Sequence, residues 1–314
     1  MNLLNEGIKR DIFLFCKHRL NLSPSDEDYK EFLSVFKEYK EDLSRSEYEY
    51  NTENISSLNE VINDDMLKYR VFIEPKHDGT QIVIKVDDKV HLSHKSGSGI
   101  NKQDISLLFG IFIKFRDDFL ELLSKAKEKG VIVRMEIFDK EYSPFKIEKE
   151  PINFSVFDVL KGDRYLLPTE FSFPHSVEFI EVKSLRDINS MKVLSWLESK
   201  EGIVVKVYGD SLPFRNAKNF NMLVFKYKPF VVQLADEMES KKMIKEQGKL
   251  SLVFSELITE YAKDRSKSFD EMLKKVKEDH KELGSFIDKN YEIIKDYWFN
   301  SKTIRSLLQL ISIE

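Results

Sequence analysis

The sequence predicts an α+β protein in which a mostly antiparallel sheet is flanked by two helical regions. Three observations predict it. Up to about residue 69, apolar residues recur at spacings of three and four; from about residue 70 to 230 the period drops to two and β-branched residues cluster; beyond about 231 the helical spacing returns. The domain boundaries expected from these shifts are 1–69, 70–230 and 231–314. With 314 residues, 41% of them hydrophobic, the chain can bury a sizeable core in one large domain or two to three smaller ones.

In the first region, Tyr29, Phe32, Leu33, Phe36, Tyr39 and Leu43 follow a Ser23-Pro24-Ser25-Asp26 start signal and mark an amphipathic helix. Strands are expected in Arg70-Val71-Phe72-Ile73-Glu74-Pro75, Thr80-Gln81-Ile82-Val83-Ile84-Lys85-Val86, Val131-Ile132-Val133, Phe154-Ser155-Val156-Phe157, Val177-Glu178-Phe179-Ile180-Glu181-Val182 and Leu223-Val224-Phe225. Asp87-Asp88-Lys89 suits a hairpin turn, and one helix is expected from about Asp104 to Lys129, closed by Gly130. In the last region Ser268-Phe269-Asp270-Glu271 spells a capping box, with Leu257, Tyr261, Met272 and Val276 on apolar faces.

Charged residues make up 33% of the chain, 50 Lys plus Arg against 54 Asp plus Glu, for a formal net charge of −4. A polynucleotide partner would therefore have to meet a local basic patch, and net charge neither supports nor excludes one. A single cysteine, Cys16, excludes an internal disulfide framework and a cysteine zinc site, and fits a reducing compartment. No apolar run reaches a membrane-spanning length, and the N-terminus lacks a signal pattern; the expectation is a cytoplasmic protein without membrane contact.

Four short segments carry the chemistry. Lys76 ends an apolar strand and is followed by His77-Asp78-Gly79, a strand-to-turn junction where glycine lets the backbone approach a ligand closely. An ordinary lysine amine is mostly protonated, so a nucleophilic lysine needs burial or neighbouring positive charge. The bland alternative is a surface turn. Glu201 and Lys206 bracket Gly202-Ile203-Val204-Val205, where alternation puts Glu201, Ile203 and Val205 on one face and Val204 and Lys206 on the other. A carboxylate at a strand mouth can hold Mg²⁺ while a deeper lysine meets phosphate; a solvated edge strand explains the same charges. Lys226 and Lys228, two apart, share a strand face and repel each other unless they meet solvent or a polyphosphate. Glu136 sits in an otherwise apolar strand, where an ionised carboxylate needs a partner, either the same-face Arg134 or ribose hydroxyls. Phe157 suits a core position or an adenine platform, and taken without the other segments the core position is the stronger reading.

In their order, Lys76-His77-Asp78-Gly79, Arg134-Met135-Glu136, Phe157, Glu201-Gly202-Ile203-Val204-Val205-Lys206 and Lys226-Tyr227-Lys228 resemble the signature elements of the covalent nucleotidyltransferase superfamily of ATP-dependent RNA ligases, DNA ligases and mRNA capping enzymes. The resemblance spans about Arg70 to Pro229. It implies a nucleotidyltransferase domain in which Lys76 becomes lysyl-AMP, Glu74 recognises the adenine amino group, Glu136 holds the ribose, Phe157 stacks on adenine, Glu201 attends the metal, and Lys226 and Lys228 bind phosphate, with Asp78 and Gly79 completing the first element. ATP and Mg²⁺ (or Mn²⁺) are the implied cofactors. At the element that usually presents an arginine the candidate is Lys95, which lacks a guanidinium's bidentate geometry.

Two features lean towards RNA. Five residues after the nucleophile this chain has Gln81, an amide as in RNA ligases that seal nicked duplexes, where DNA ligases and capping enzymes usually have arginine. The last region also reads as helical where those two branches carry a β-rich domain. The resemblance thus implies an ATP-dependent RNA ligase joining 5′-phosphate and 3′-hydroxyl ends in RNA repair. A DNA ligase or capping-type enzyme without the usual C-terminal fold is the alternative.

Overall fold

A computed structural model describes residues 3–36, 43, 47–55, 57–94, 100–140, 151–210, 212, 221–229, 232, 247–301, 303–305 and 308. The chain divides into two compact units, Met1–Tyr227 and Lys228–Glu314.

The first unit opens with α1 (Glu6–Arg19) and α2 (Asp26–Phe36), followed by β1 (Thr52–Ile55), β2 (Arg70–Lys76), β3 (Thr80–Val86) and β4 (Val90–His94). Next come α3 (Lys102–Lys114), α4 (Arg116–Lys129), β5 (Ile132–Phe138), β6 (Asn153–Lys161), β7 (Arg164–Tyr165) and β8 (Ile180–Val182). It closes with α5 (Met191–Ser199), β9 (Gly202–Tyr208) and β10 (Met222–Tyr227). The strands form two five-stranded sheets, in the orders β1-β10-β9-β2-β8 and β4-β3-β5-β6-β7. Every ladder within them is antiparallel except β1 with β10.

Strand alternation sorts side chains into three cores. Phe72, Tyr208 and Val224 of the first sheet meet Val83, Ile132 and Leu160 of the second, so the two sheets pack face to face. The far face of the second sheet, with Ile82, Ile84, Val133 and Met135, is covered by α1 to α4. The far face of the first, with Val71, Ile73, Ile203 and Val205, packs on Val193 and Trp196 of α5.

The N-terminal helices belong to the core of this unit. Phe32 lies 4.5 Å from Phe36, 5.1 Å from Phe109 and 5.6 Å from Phe112, ring centre to ring centre. The helical reading of residues 1–69 is corrected at β1, where Thr52–Ile55 adds a parallel edge strand to β10. Nothing in Thr52-Glu53-Asn54-Ile55 has helical spacing; the open edge of β10 supplies the hydrogen bonds that make it a strand.

The single helix expected over 104–129 is two. Phe115, at φ −131° and ψ 44°, ends α3 and precedes α4, whose first turn carries Asp117 and Asp118 as a helix-start signal. The break turns the Phe115 ring onto Phe154 at 6.0 Å and His175 at 4.7 Å. Gly130 closes α4 as expected, at φ 59° with its N–H on the Lys127 carbonyl, while Val131 donates to Ala126. Only Ile180–Val182 of the strand expected from Val177 is one; before it, Val177 N–H donates to Val156, and the chain crosses from one sheet to the other.

The second unit holds α6 (Gln247–Lys263), α7 (Phe269–Asp279), α8 (Gly284–Lys289) and α9 (Tyr291–Asn300) around Leu250, Phe254, Leu257, Met272, Ile287 and Trp298. The capping box expected at Ser268 and Glu271 is present. Among the described residues no helix is long and apolar enough to cross a membrane.

Phe109 is fully buried beneath Phe32 and Tyr29, so Phe109→Ala should lower unfolding free energy by about 3–5 kcal/mol in chemical denaturation. A loss below about 1 kcal/mol would show that the N-terminal helices do not depend on this ring.

Candidate active site

The predicted nucleophile stands where the chain leaves one sheet for the other. Lys76 is the last residue of β2 and Thr80 the first of β3, so His77, Asp78 and Gly79 bridge the two packed sheets. This turn is pinned on three sides. His77 stacks on Phe138, ring centres 4.0 Å apart and nearly parallel at 7°. Asp78 is buried. A Cβ on Gly79 would strike the Ile137 carbonyl oxygen and come within 3.1 Å of the Phe138 Cβ. The glycine therefore serves a close approach to the backbone of β5, where a close approach to a ligand was expected.

Alternation along β2 turns Phe72, Glu74 and Lys76 to the face that meets the second sheet. Their register partners on β9 are Lys206, Val204 and Gly202, and on β10 Lys226 lies opposite Val204, with Asn54 of β1 on its other side. On the facing sheet, the same rule sets Gln81 beside Glu136 and Glu136 beside Ser155. An irregularity in register between Arg134 and Met135 leaves Phe157 as the extra residue of β6, half-buried rather than sealed in the core.

Glu201 lies one residue before β9, free of the strand's alternation that was expected to group it with Ile203 and Val205. It is buried, its N–H donates to the Lys76 carbonyl at 3.0 Å, and its Oε2 pairs with Lys76 Nζ. The first and fourth motifs thus meet by backbone and side chain together. Lys228 falls one residue beyond the end of β10, outside the strand face it was expected to share with Lys226. Lys95 lies outside the described residues.

Lys206 is seated differently from the phosphate position expected for it. Fully buried, its Nζ contacts Glu74 Oε2 at 2.5 Å and Asp158 Oδ1 at 2.8 Å and donates to the Phe157 carbonyl at 2.6 Å. Tyr50 OH donates to Asp158 Oδ2 at 2.5 Å, and Arg134, one of the two alternatives open for Glu136, approaches Asp158 at 3.7 Å and donates to Gln81 and Tyr165. Two acidic and two basic side chains meet in this dry layer, where each needs a partner. Burial opposes the Lys206 charge, but Asp158 and Glu74 more than offset it and raise its pKa. Burial also pushes the Glu74 carboxyl up to about 7, with Lys206 pulling it down and Asp158 raising it further. Glu74 Oε1 is buried and has no hydrogen-bond partner among the described residues.

Asp158, Tyr50 and Tyr165 were not singled out from sequence. The signal was there for Asp158, a lone carboxylate inside the apolar run Val156-Phe157-Asp158-Val159-Leu160. No such signal marks the tyrosines.

Because the raised Glu74 pKa favours the protonated form in the folded chain, its stabilising contribution is complete below its ordinary 4.5 and is lost as pH rises through about 7. Glu74→Gln cannot ionise and escapes that loss. Its melting temperature relative to the parent chain should climb between about pH 5 and 8, by the equivalent of about 1–3 kcal/mol. A difference that stays constant with pH would mean that Glu74 is ionised throughout.

No protein-family model and no curated protein sequence matches the chain. Solved structures are similar to it. A variant of the Naegleria gruberi RNA ligase with ATP and Mn matches at 13% identity and a TM-score of 0.38, over 58% of this chain and 56% of that one. A putative ATP-dependent DNA ligase from Aquifex aeolicus matches at 18% and 0.40, over 84% and 75%. An archaeal ATP-dependent RNA ligase matches at 12% and 0.33, over 68% and 51%. This chain thus spans little more than half the length of the Naegleria ligase it matches.

Proposed function

We propose that this chain is an ATP-dependent RNA ligase that joins 5′-phosphate and 3′-hydroxyl RNA ends through a covalent lysyl-AMP. The observation that carries the reading is the seat of Lys76: a lysine at the crossover between two sheets, in contact with the buried Glu201, at a cleft whose walls present Glu74, Gln81, Glu136, Phe157 and Lys226.

Each wall residue has a part that suits its surroundings. The unpartnered Oε1 of Glu74 is an acceptor for the adenine amino group, since a buried carboxylate oxygen gains most from a donor it lacks. Phe157, extruded from the strand register, offers a ring for adenine to stack on, and the Glu136 carboxylate accepts from ribose hydroxyls. Lys226 and Lys228 neutralise phosphate charge. Glu201, buried beside Lys76, is the carboxylate that would hold a divalent ion arriving with ATP. When bound, that ion neutralises charge on the phosphates.

In the first step the Lys76 amine attacks the α-phosphorus, its surplus proton passing to the Glu201 carboxylate that it contacts. A P–N bond forms as the bond to the bridging oxygen breaks, and pyrophosphate leaves with the electron pair. An RNA 5′-phosphate oxygen then takes the adenylyl group from Lys76, which regains its free amine. Finally the 3′-hydroxyl oxygen attacks that 5′-phosphorus and gives its proton to solvent; as the phosphodiester bond forms, the bond to the AMP oxygen breaks and AMP leaves with the electron pair. Positioning and charge neutralisation carry all three steps.

RNA is favoured over DNA by Gln81 and by the helices of the second unit. A DNA ligase or capping-type enzyme remains the second reading, favoured by the shared cleft residues alone.

Lys76→Ala should abolish AMP attachment and the joining of ordinary 5′-phosphate ends while sparing some sealing of a pre-adenylylated strand. Joining of 5′-phosphate ends by that variant would exclude the covalent route. In ATP- and Mg²⁺-dependent sealing of matched nicks, an RNA 3′-hydroxyl strand should be strongly preferred; equal sealing of all-DNA nicks would favour the second reading.

A further inference from the structure

Arg134 has no role in the reading above, yet it is 5% exposed and lies on β5 two residues before Glu136. Its Nη2 donates to Gln81 Oε1 at 3.0 Å, and its Nη1 makes longer contacts to Tyr165 OH at 3.4 Å and the Tyr48 carbonyl at 3.5 Å. The guanidinium carbon sits 4.1 Å from the Tyr50 ring centre and 5.5 Å from that of Phe157, within cation–π reach of both. The side chain is therefore held from several directions.

Its chemistry then dictates that of Gln81. A guanidinium has five donors and no acceptor, so the amide atom facing it must be the oxygen. The usual ambiguity between amide oxygen and nitrogen is removed, and the amide nitrogen must turn away from Arg134. Gln81 is half-buried and makes no second side-chain hydrogen bond among the described residues. Its register partner on the same sheet face is Glu136, which can only accept when ionised.

We propose that Arg134 is a positioning residue of the nucleotide site, which locks the Gln81 amide with its N–H donors outward beside the Glu136 acceptor. A bound ribonucleotide thereby meets a donor and an acceptor side by side, a match for sugar–phosphate oxygens and hydroxyls together. The inference rests on the proposed nucleotide site. Without Arg134 the amide would rotate freely, and an outward oxygen would place two acceptors together.

ATP affinity measured by calorimetry in a Lys76→Ala background isolates binding from reaction. There, Gln81→Glu keeps the acceptor that Arg134 needs but removes the outward donor; it should bind ATP about 10- to 100-fold more weakly with an unchanged melting temperature. Arg134→Met should weaken ATP binding about 10-fold when Gln81 is present and have no further effect beside Gln81→Ala. Arg134→Lys, which also only donates, should restore much of the loss. ATP binding by Gln81→Glu at parental strength would overturn the proposal, whether or not Arg134→Met folds, as would independent effects of Arg134→Met and Gln81→Ala. ATP binding that depends on Gln81 without any AMP attachment to Lys76 of the parent chain would remove the ligase reading while leaving the positioning role.

Discussion

A single buried ammonium, that of Lys206, sets the terms for the cleft. It crosses the interface between the two sheets to reach Glu74 on its own sheet and Asp158 and the Phe157 carbonyl on the other. Removing one partner of such a group leaves an uncompensated charge in a dry layer, so the sheets cannot slide without a large cost. The bond to the Phe157 carbonyl also ties down the one residue of β6 that the ladder leaves out of register, which keeps its ring half-buried at the cleft. A residue expected to meet phosphate thus acts as the floor under the site.

The two sheets divide the chemistry between them. The first contributes Glu74, Lys76, Lys206 and Lys226 from three adjacent strands, while the second contributes Gln81, Glu136 and Phe157. Because β2 and β3 are consecutive in sequence but lie in different sheets, the short turn that joins them is also the geometric link between these two sets. Its pinning by His77, Asp78 and Gly79 explains why a flexible lysine can stand at a defined spot. Under the proposed ligase chemistry, where positioning supplies most of the rate, that rigidity is the useful property.

What the sequence made legible follows from how strongly each segment is patterned. Thr80–Val86, Ile132–Phe138 and Gly202–Tyr208 alternate or run apolar between turn signals, and each is a strand. The cleft residues were legible through their order and spacing, since a lysine or carboxylate inside an apolar strand announces itself. What escaped was set by tertiary context. Thr52–Ile55 has no intrinsic pattern and is a strand because β10 offers an edge; Phe115 interrupts a run whose apolar spacing continues through it. The partners of Lys206 and Arg134 come from segments far apart in sequence, where alternation gives the face of a side chain but not its contact.

The parallel pairing of β1 with β10 has a practical side. It covers the hydrogen-bonding edge of the strand that carries Lys226, using a segment well outside the stretch that bears the motifs. A fragment trimmed to start at Arg70 would bare that edge together with the aromatic core that α1 and α2 cover, inviting association between copies. Self-assembly and precipitation would be the first symptom of such trimming.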